Sequence, residues 1–252
     1  MIAALPMYDR PEVADATDRL WAGIRDSLRR SGHAAPETLC RDDDLWRHWQ
    51  APDLVLAQCC GLPYRARLHG RVRLIATPDY GVSGCPPGYY RSLLVVRTSD
   101  PRTQVEDFGD AGLAVNDALS QSGWAAPVAH FSARGLALRP VGPTGSHAAS
   151  AAAVAEGRAE IAAIDAVTWA LLCRAREPSV ERLRILQATI PTPGLPLIAG
   201  PEVDAEKVRR ACHEGLATLD PCDRDRLMLR GLVEIPAAAY RALPLPPAAW
   251  AG

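Results

Sequence analysis

The chain has 252 residues, 48% of them hydrophobic and 23% charged, with a formal net charge of −1. That is long enough for one large or two small domains with sizeable cores, and the composition fits a soluble globular protein. The near-neutral balance argues against a partner captured by charge alone, such as nucleic acid or an anionic membrane.

The seven cysteines (40, 59, 60, 85, 173, 212 and 222) are odd in number and show no framework spacing. Reduced thiols are expected, not a disulfide scaffold, and no Cys-x-x-Cys pair suggests zinc. The N-terminus has no basic segment, apolar core or cleavage site of a signal peptide. No apolar run approaches the ~20 residues of a membrane helix. The chain as given is therefore expected to be cytoplasmic, or periplasmic if a leader was removed.

In chain order, Ile2 to Leu5 reads as a strand and Pro11 to Arg30 as a helix, with Val13, Ala16, Leu20, Ile24 and Leu28 at helical spacing. A short helix is expected over 45–50. Strands are expected over 53–57, 72–77 and 89–97, with a helical turn over 65–69 and a Gly/Pro-rich loop over 78–88. Ala111 to Val115 reads as a buried strand, and the turn Asn116 to Trp124 leads into a helix. Further strands are expected over 136–141, 161–165, 183–189 and 197–199. Helices are expected over 148–156, 166–176, 204–219 and 223–229, followed by a Pro-rich tail. Alternating strands and helices imply an α/β fold with largely parallel sheets.

In such sheets ligands bind beyond the C-terminal ends of strands. Tyr8, Gln58, Tyr64 and Asp79-Tyr80 follow the first three strands; Ser120, Gln121, Ser122, Gly123 and Trp124 follow the 111–115 strand. Ser146-His147 and Asp165 follow the next two. A strand, a small polar turn and a helix start make a general anion site, because free N–H groups point outward and the helix dipole favours negative charge. Signatures of hydrolases, zinc proteases and P-loop enzymes are absent, so no catalytic residue, cofactor or metal ligand is assigned. The Asp42-Asp43-Asp44 run reads as a solvated loop or a helix cap.

Three pieces in this order form a pattern: Tyr89-Tyr90-Arg91-Ser92 leading into Val95-Val96-Arg97, then Ser120-Gln121-Ser122-Gly123, then Gly145-Ser146-His147 followed by 153–165. The pattern resembles the phosphonate-binding type of the phosphate/phosphite/phosphonate substrate-binding proteins of ABC transporters. The resemblance implies a type II periplasmic-binding-protein fold, with two α/β lobes and a ligand cleft between them. Lobe one would comprise residues 1–96 and 191–252, and lobe two residues 97–190. It further implies a non-enzymatic protein that holds a small oxyanion and works with an ABC-transporter permease or as a sensor. Tyr90, Ser120, Ser122, the N–H groups of Gly123 and Trp124, His147 and Asp165 would contact the ligand. Tyr8, Tyr64, Tyr80, Tyr90 and Trp124 would form an aromatic wall. The alternative is a cytosolic enzyme on the same fold, acting on a small organic acid or cofactor precursor, with His147 or Asp165 as acid or base.

Overall fold

The structure, a computed structural model, describes residues 1–42 and 44–250, so Asp43 of the acidic run lies outside the described residues. Twelve strands follow in chain order: β1 (Ile2–Ala4), β2 (Leu54–Gln58), β3 (Arg73–Asp79), β4 (Tyr89–Tyr90), β5 (Ser92–Arg97), β6 (Gly112–Ala114), β7 (Arg139–Val141), β8 (Ile161–Asp165), β9 (Leu183–Ala188), β10 (Thr192–Pro193), β11 (Leu197–Ala199) and β12 (Gly231–Val233). The chain divides into two compact units, Met1–Gly88 with Pro193–Leu243, and Tyr89–Thr192 with Pro244–Gly252.

Unit 1 is built on a sheet of order β1-β2-β11-β3-β12. β1 and β2 are parallel, and β11 runs antiparallel to both of its neighbours. The Ala14–Arg30 helix buries Trp21, Ile24 and Leu28 in the core, together with Leu56, Ile75 and Ala199 from the sheet. Trp21 thus lies inside the apolar stripe, beside the positions whose spacing marked the helix. The Ala205–Thr218 helix adds Val208, Ala211 and Cys212 to the same core. Its start is closed by Asp204, whose carboxylate accepts from the N–H groups of Glu206 and Lys207. The Pro-rich tail also forms structure that the sequence did not signal. β12 pairs with β3, and Tyr240 is buried with its hydroxyl 2.6 Å from Thr77 Oγ1.

Unit 2 has the order β7-β6-β8-β5-β9. β6 is parallel to both β7 and β8, whereas β5 is antiparallel to β8 and β9. Both sheets are therefore mixed. In each unit a reversed strand is the first of the sheet after the chain enters that unit from the other, β5 after residue 88 and β11 after residue 192, and in unit 1 the edge strand β12 also runs antiparallel to β3. The 89–97 strand expected from sequence is broken at Arg91, which separates β4 from β5. The tail from Pro244 belongs to unit 2 and not, as the sequence reading had it, to the first lobe. Ala249 and Trp250 pack into the core formed by Leu94, Phe108, Leu113, Trp124 and Phe131. No helix among the described residues is long and apolar enough to cross a membrane.

In unit 1 the Ala14–Arg30 and Ala205–Thr218 helices meet at two glycines. A Cβ on Gly215 would lie 2.5 Å from Ile24 Cγ1 and 2.6 Å from the Ile24 backbone nitrogen. A mid-helix Gly→Ala change normally stabilises by about 1 kcal/mol. Here backbone blocks the new methyl, and overpacking reverses the sign. Gly215→Ala is expected to lose about 1–2 kcal/mol in urea unfolding; a gain in stability would show that the helices can separate at no cost.

Candidate functional site

Parallel pairing brings the C-terminal ends of β6, β7 and β8 to one edge of the unit 2 sheet. Three helical segments start just beyond these strands, Gln121–Ala125 continuing into Ala126–Ser132, His147–Ala155, and Ala166–Arg174. Each has a side-chain cap, as orphan helix N–H groups require. Ser120 Oγ accepts from Gly123 N–H at 2.9 Å, and Ser146 Oγ from Ala149 N–H at 3.1 Å. Asp165 Oδ1 accepts from the N–H groups of Val167 (2.7 Å) and Thr168 (3.1 Å).

Side chains and backbone then tie these starts together. Ser122 Oγ lies 2.7 Å from His147 Nε2, joining the first turns of two helical segments. Ser92 donates its hydroxyl to the Ser122 carbonyl at 2.9 Å and sits opposite Asp165 in the β5–β8 register. Its own N–H donates to Thr189 Oγ1 at 3.0 Å. The 142–146 turn is pinned from below, with Thr144 N–H on the Val115 carbonyl and Gly145 N–H on the Asn116 carbonyl. Ser120, Gln121, Ser122, Tyr90 and Asp165 are all buried.

Burial pushes the pKa of His147 down to about 4, opposed in part by the nearby Ala163 carbonyl. The ring is therefore neutral at pH 7. A neutral ring that accepts from Ser122 turns the hydroxyl lone pairs toward any ligand. A protonated ring instead donates to Ser122 Oγ and releases the hydroxyl hydrogen for an oxyanion.

Several residues expected at the ligand take other roles in this geometry. The Gly123 N–H is taken by Ser120 Oγ, and the N–H groups of Trp124 and Ala125 both donate to the Ser120 carbonyl. Neither amide assigned to the anion is left pointing outward, because the first turn closes on its own cap. A Cβ at 123 would sit 1.8 Å from Asn116 Oδ1, so any larger residue there has to displace the Asn116 side chain. Trp124 is core, with its indole N–H donating to the Pro247 carbonyl at 2.8 Å. Tyr64 is also interior, edge-on to Tyr240 at 5.2 Å between ring centroids, and burial raises its pKa.

The remaining candidates belong to unit 1. Tyr8 and Tyr80 meet edge to face at 4.8 Å, and Gln58 Nε2 donates to the Tyr80 hydroxyl at 3.2 Å. Tyr8 and Gln58 are buried. Ser92 and Asn116 were not singled out as site residues. The available signals were a hydroxyl opening the apolar run Leu93-Leu94-Val95-Val96, and an Asn directly after a buried strand.

A protein-family model described as "ABC transporter, phosphonate, periplasmic substrate-binding protein" matches residues 49–239. No curated protein sequence matches the chain. Among solved structures, PhnD1 from Prochlorococcus marinus in complex with methylphosphonate superposes with a TM-score of 0.71 at 16% identity, covering 95% of this chain and 94% of that one. XAC2383 from Xanthomonas citri bound to ATP gives a TM-score of 0.69 at 16% identity over 96% and 94% of the two chains. A binding-protein component of an ABC phosphonate transporter from Pseudomonas aeruginosa gives 0.69 at 15% identity over 92% and 80%. These likenesses establish the type II periplasmic-binding-protein fold. With the family model spanning most of its length, the chain belongs to the periplasmic substrate-binding proteins of phosphonate ABC transporters.

Proposed function

We propose that the chain binds a small phosphonate- or phosphate-like oxyanion at the C-terminal edge of β6 and β8, releases it unchanged, and delivers it to an ABC-transporter permease. The observation that carries this reading is the 2.7 Å contact between Ser122 Oγ and His147 Nε2, which aligns two helix starts on one point. Helix starts favour negative charge, and hydroxyl and imidazole donors add direction. Ser120, Gln121 and Tyr90 would line the same edge. In unit 1, Tyr8 and Gln58 are proposed as further ligand contacts, while the packing of Tyr64, Gly123 and Trp124 supports a structural role for each.

Ser122→Ala and His147→Ala are each expected to weaken methylphosphonate binding by about ten- to thirtyfold in calorimetry, the loss of a hydrogen bond to a charged group. Urea unfolding would check that both variants fold. Wild-type affinity in both variants would remove the ligand from this edge.

Proton linkage gives a second test. With a pKa of about 4 in the free protein, His147 is unprotonated at pH 6. A bound oxyanion favours the imidazolium and raises that value, so binding takes up protons at pH 6 and strengthens as pH falls toward 4. The ligand's own titration is removed by comparison with His147→Gln. Calorimetry in buffers of different ionisation enthalpy should show extra uptake in the wild type only; equal uptake in both proteins would dismiss the linkage.

A further inference from the structure

In unit 1, the loop between the Ala14–Arg30 and Leu45–Trp49 helices brings together three side chains of different chemistry. Cys40 Sγ lies 3.4 Å from His48 Nε2 and 3.2 Å from Asp42 Oδ2, and His48 Nε2 lies 2.6 Å from Asp42 Oδ1. The three ligand atoms all fall within 4.8 Å of one another. We infer that Cys40, Asp42 and His48 form a binding site for a zinc-like divalent cation, distinct from the oxyanion edge of unit 2.

The donor set is one thiolate, one imidazole and one carboxylate, the combination that a borderline-soft, four-coordinate ion accepts. Zinc bonds of about 2.3 Å to sulfur and 2.0–2.1 Å to nitrogen or oxygen place tetrahedral ligands roughly 3.5 Å apart for sulfur–nitrogen and 3.3 Å for nitrogen–oxygen. The two sulfur distances are close to this spacing already. The shorter nitrogen–oxygen contact opens by a small side-chain rotation, because Asp42 is exposed. A thiolate and a carboxylate together balance the double charge of the ion.

His48 supplies the second observation. It is 1% exposed, and its Nε2 points at the other two groups. Sulfur and oxygen converge on the same ring nitrogen. A Cys-His-Asp relay would instead place the carboxylate on the opposite nitrogen, so the geometry suits a shared ion better than a nucleophile.

The frame around the cluster is fixed. Cys40 N–H donates to the Ala3 carbonyl of β1 at 2.7 Å, and Asp44 caps the 45–49 helix through Arg47 N–H at 3.0 Å. Asp42 also accepts from Asp44 N–H at 3.2 Å and lies 3.9 Å from the Arg47 guanidinium. Three protein ligands leave the fourth position on the exposed Asp42 side for water.

The test is a cobalt(II) titration of the reduced, metal-stripped full chain, followed by displacement with zinc. One equivalent of cobalt should give a thiolate charge-transfer band and the strong visible bands of four-coordinate cobalt, both abolished by zinc. Cys40→Ser should lose the charge-transfer band, and Asp42→Asn should bind at least about tenfold more weakly, since even supporting residues of metal sites cost that much. A double Cys173→Ser/Cys222→Ser variant, which removes the two exposed thiols, should titrate like the wild type. Absence of the band in the wild type, or its survival in Cys40→Ser, would leave a hydrogen-bonded cluster only and overturn the assignment.

Discussion

Parallel pairing of β6 with β7 and β8 is the constraint on which the rest of unit 2 depends. Parallel strands cannot be joined by tight hairpins, so each must be followed by a crossover, here a helix on its way back. The three strands consequently end at one edge, and three helical segments begin there. The backbone donors at a helix start have no intrahelical partner and must be met by caps, water or ligand. An edge carrying three such starts is polar by construction, whatever side chains it bears. The reversed strand β5 then closes the arrangement. It brings Ser92 to the same edge as the end of β8, where its hydroxyl holds the Ser122 carbonyl.

Within that edge, residues of the same turn divide between capping a helix start and pairing across to the neighbouring one. Ser120 and Asp165 satisfy the helices they precede, which leaves the hydroxyl of Ser122 and the ring of His147 to face each other. Asn116 sets the shape of the turn from beneath. Its side chain lies against Gly123 and its carbonyl holds Gly145, so two turns distant in sequence share one support. The same economy is visible in unit 1, where Cys40, held to β1 through its backbone, turns its thiol toward His48.

The candidate site was legible where chemistry follows strand order. Ser120, Ser122, His147 and Asp165 each stand just after a recognisable apolar strand, and strand exits are where an α/β sheet exposes polar groups. The interior placement of Trp124 and Tyr64 was not legible, for one physical reason. A large aromatic after a strand can point to solvent or turn back into the core, and sequence periodicity does not separate the two in a segment of only four or five residues. The Pro247 carbonyl and the Tyr240 ring decide the matter, and both come from more than 120 residues away. The internal pairing of the Gly123 and Trp124 N–H groups was not legible because hydrogen-bond accounting within a first turn depends on backbone angles that residue types do not specify. The Cys40, Asp42 and His48 cluster escaped notice because its spacings of two and six residues match no ligand motif, and only the loop path brings the three atoms together.

Sequence alone determined the α/β class, most element positions, the lack of a disulfide framework and the family likeness. These follow from local periodicity, turn chemistry and short motifs, which act over a few residues. Tertiary structure decided the reversed strands β5, β11 and β12, the assignment of the Pro244–Trp250 segment to unit 2, and the division of polar turn residues into caps and groups that pair across the edge. Those outcomes depend on which distant backbone satisfies a given donor and which distant side chain fills a given volume. Neither is encoded in the spacing of neighbouring residues.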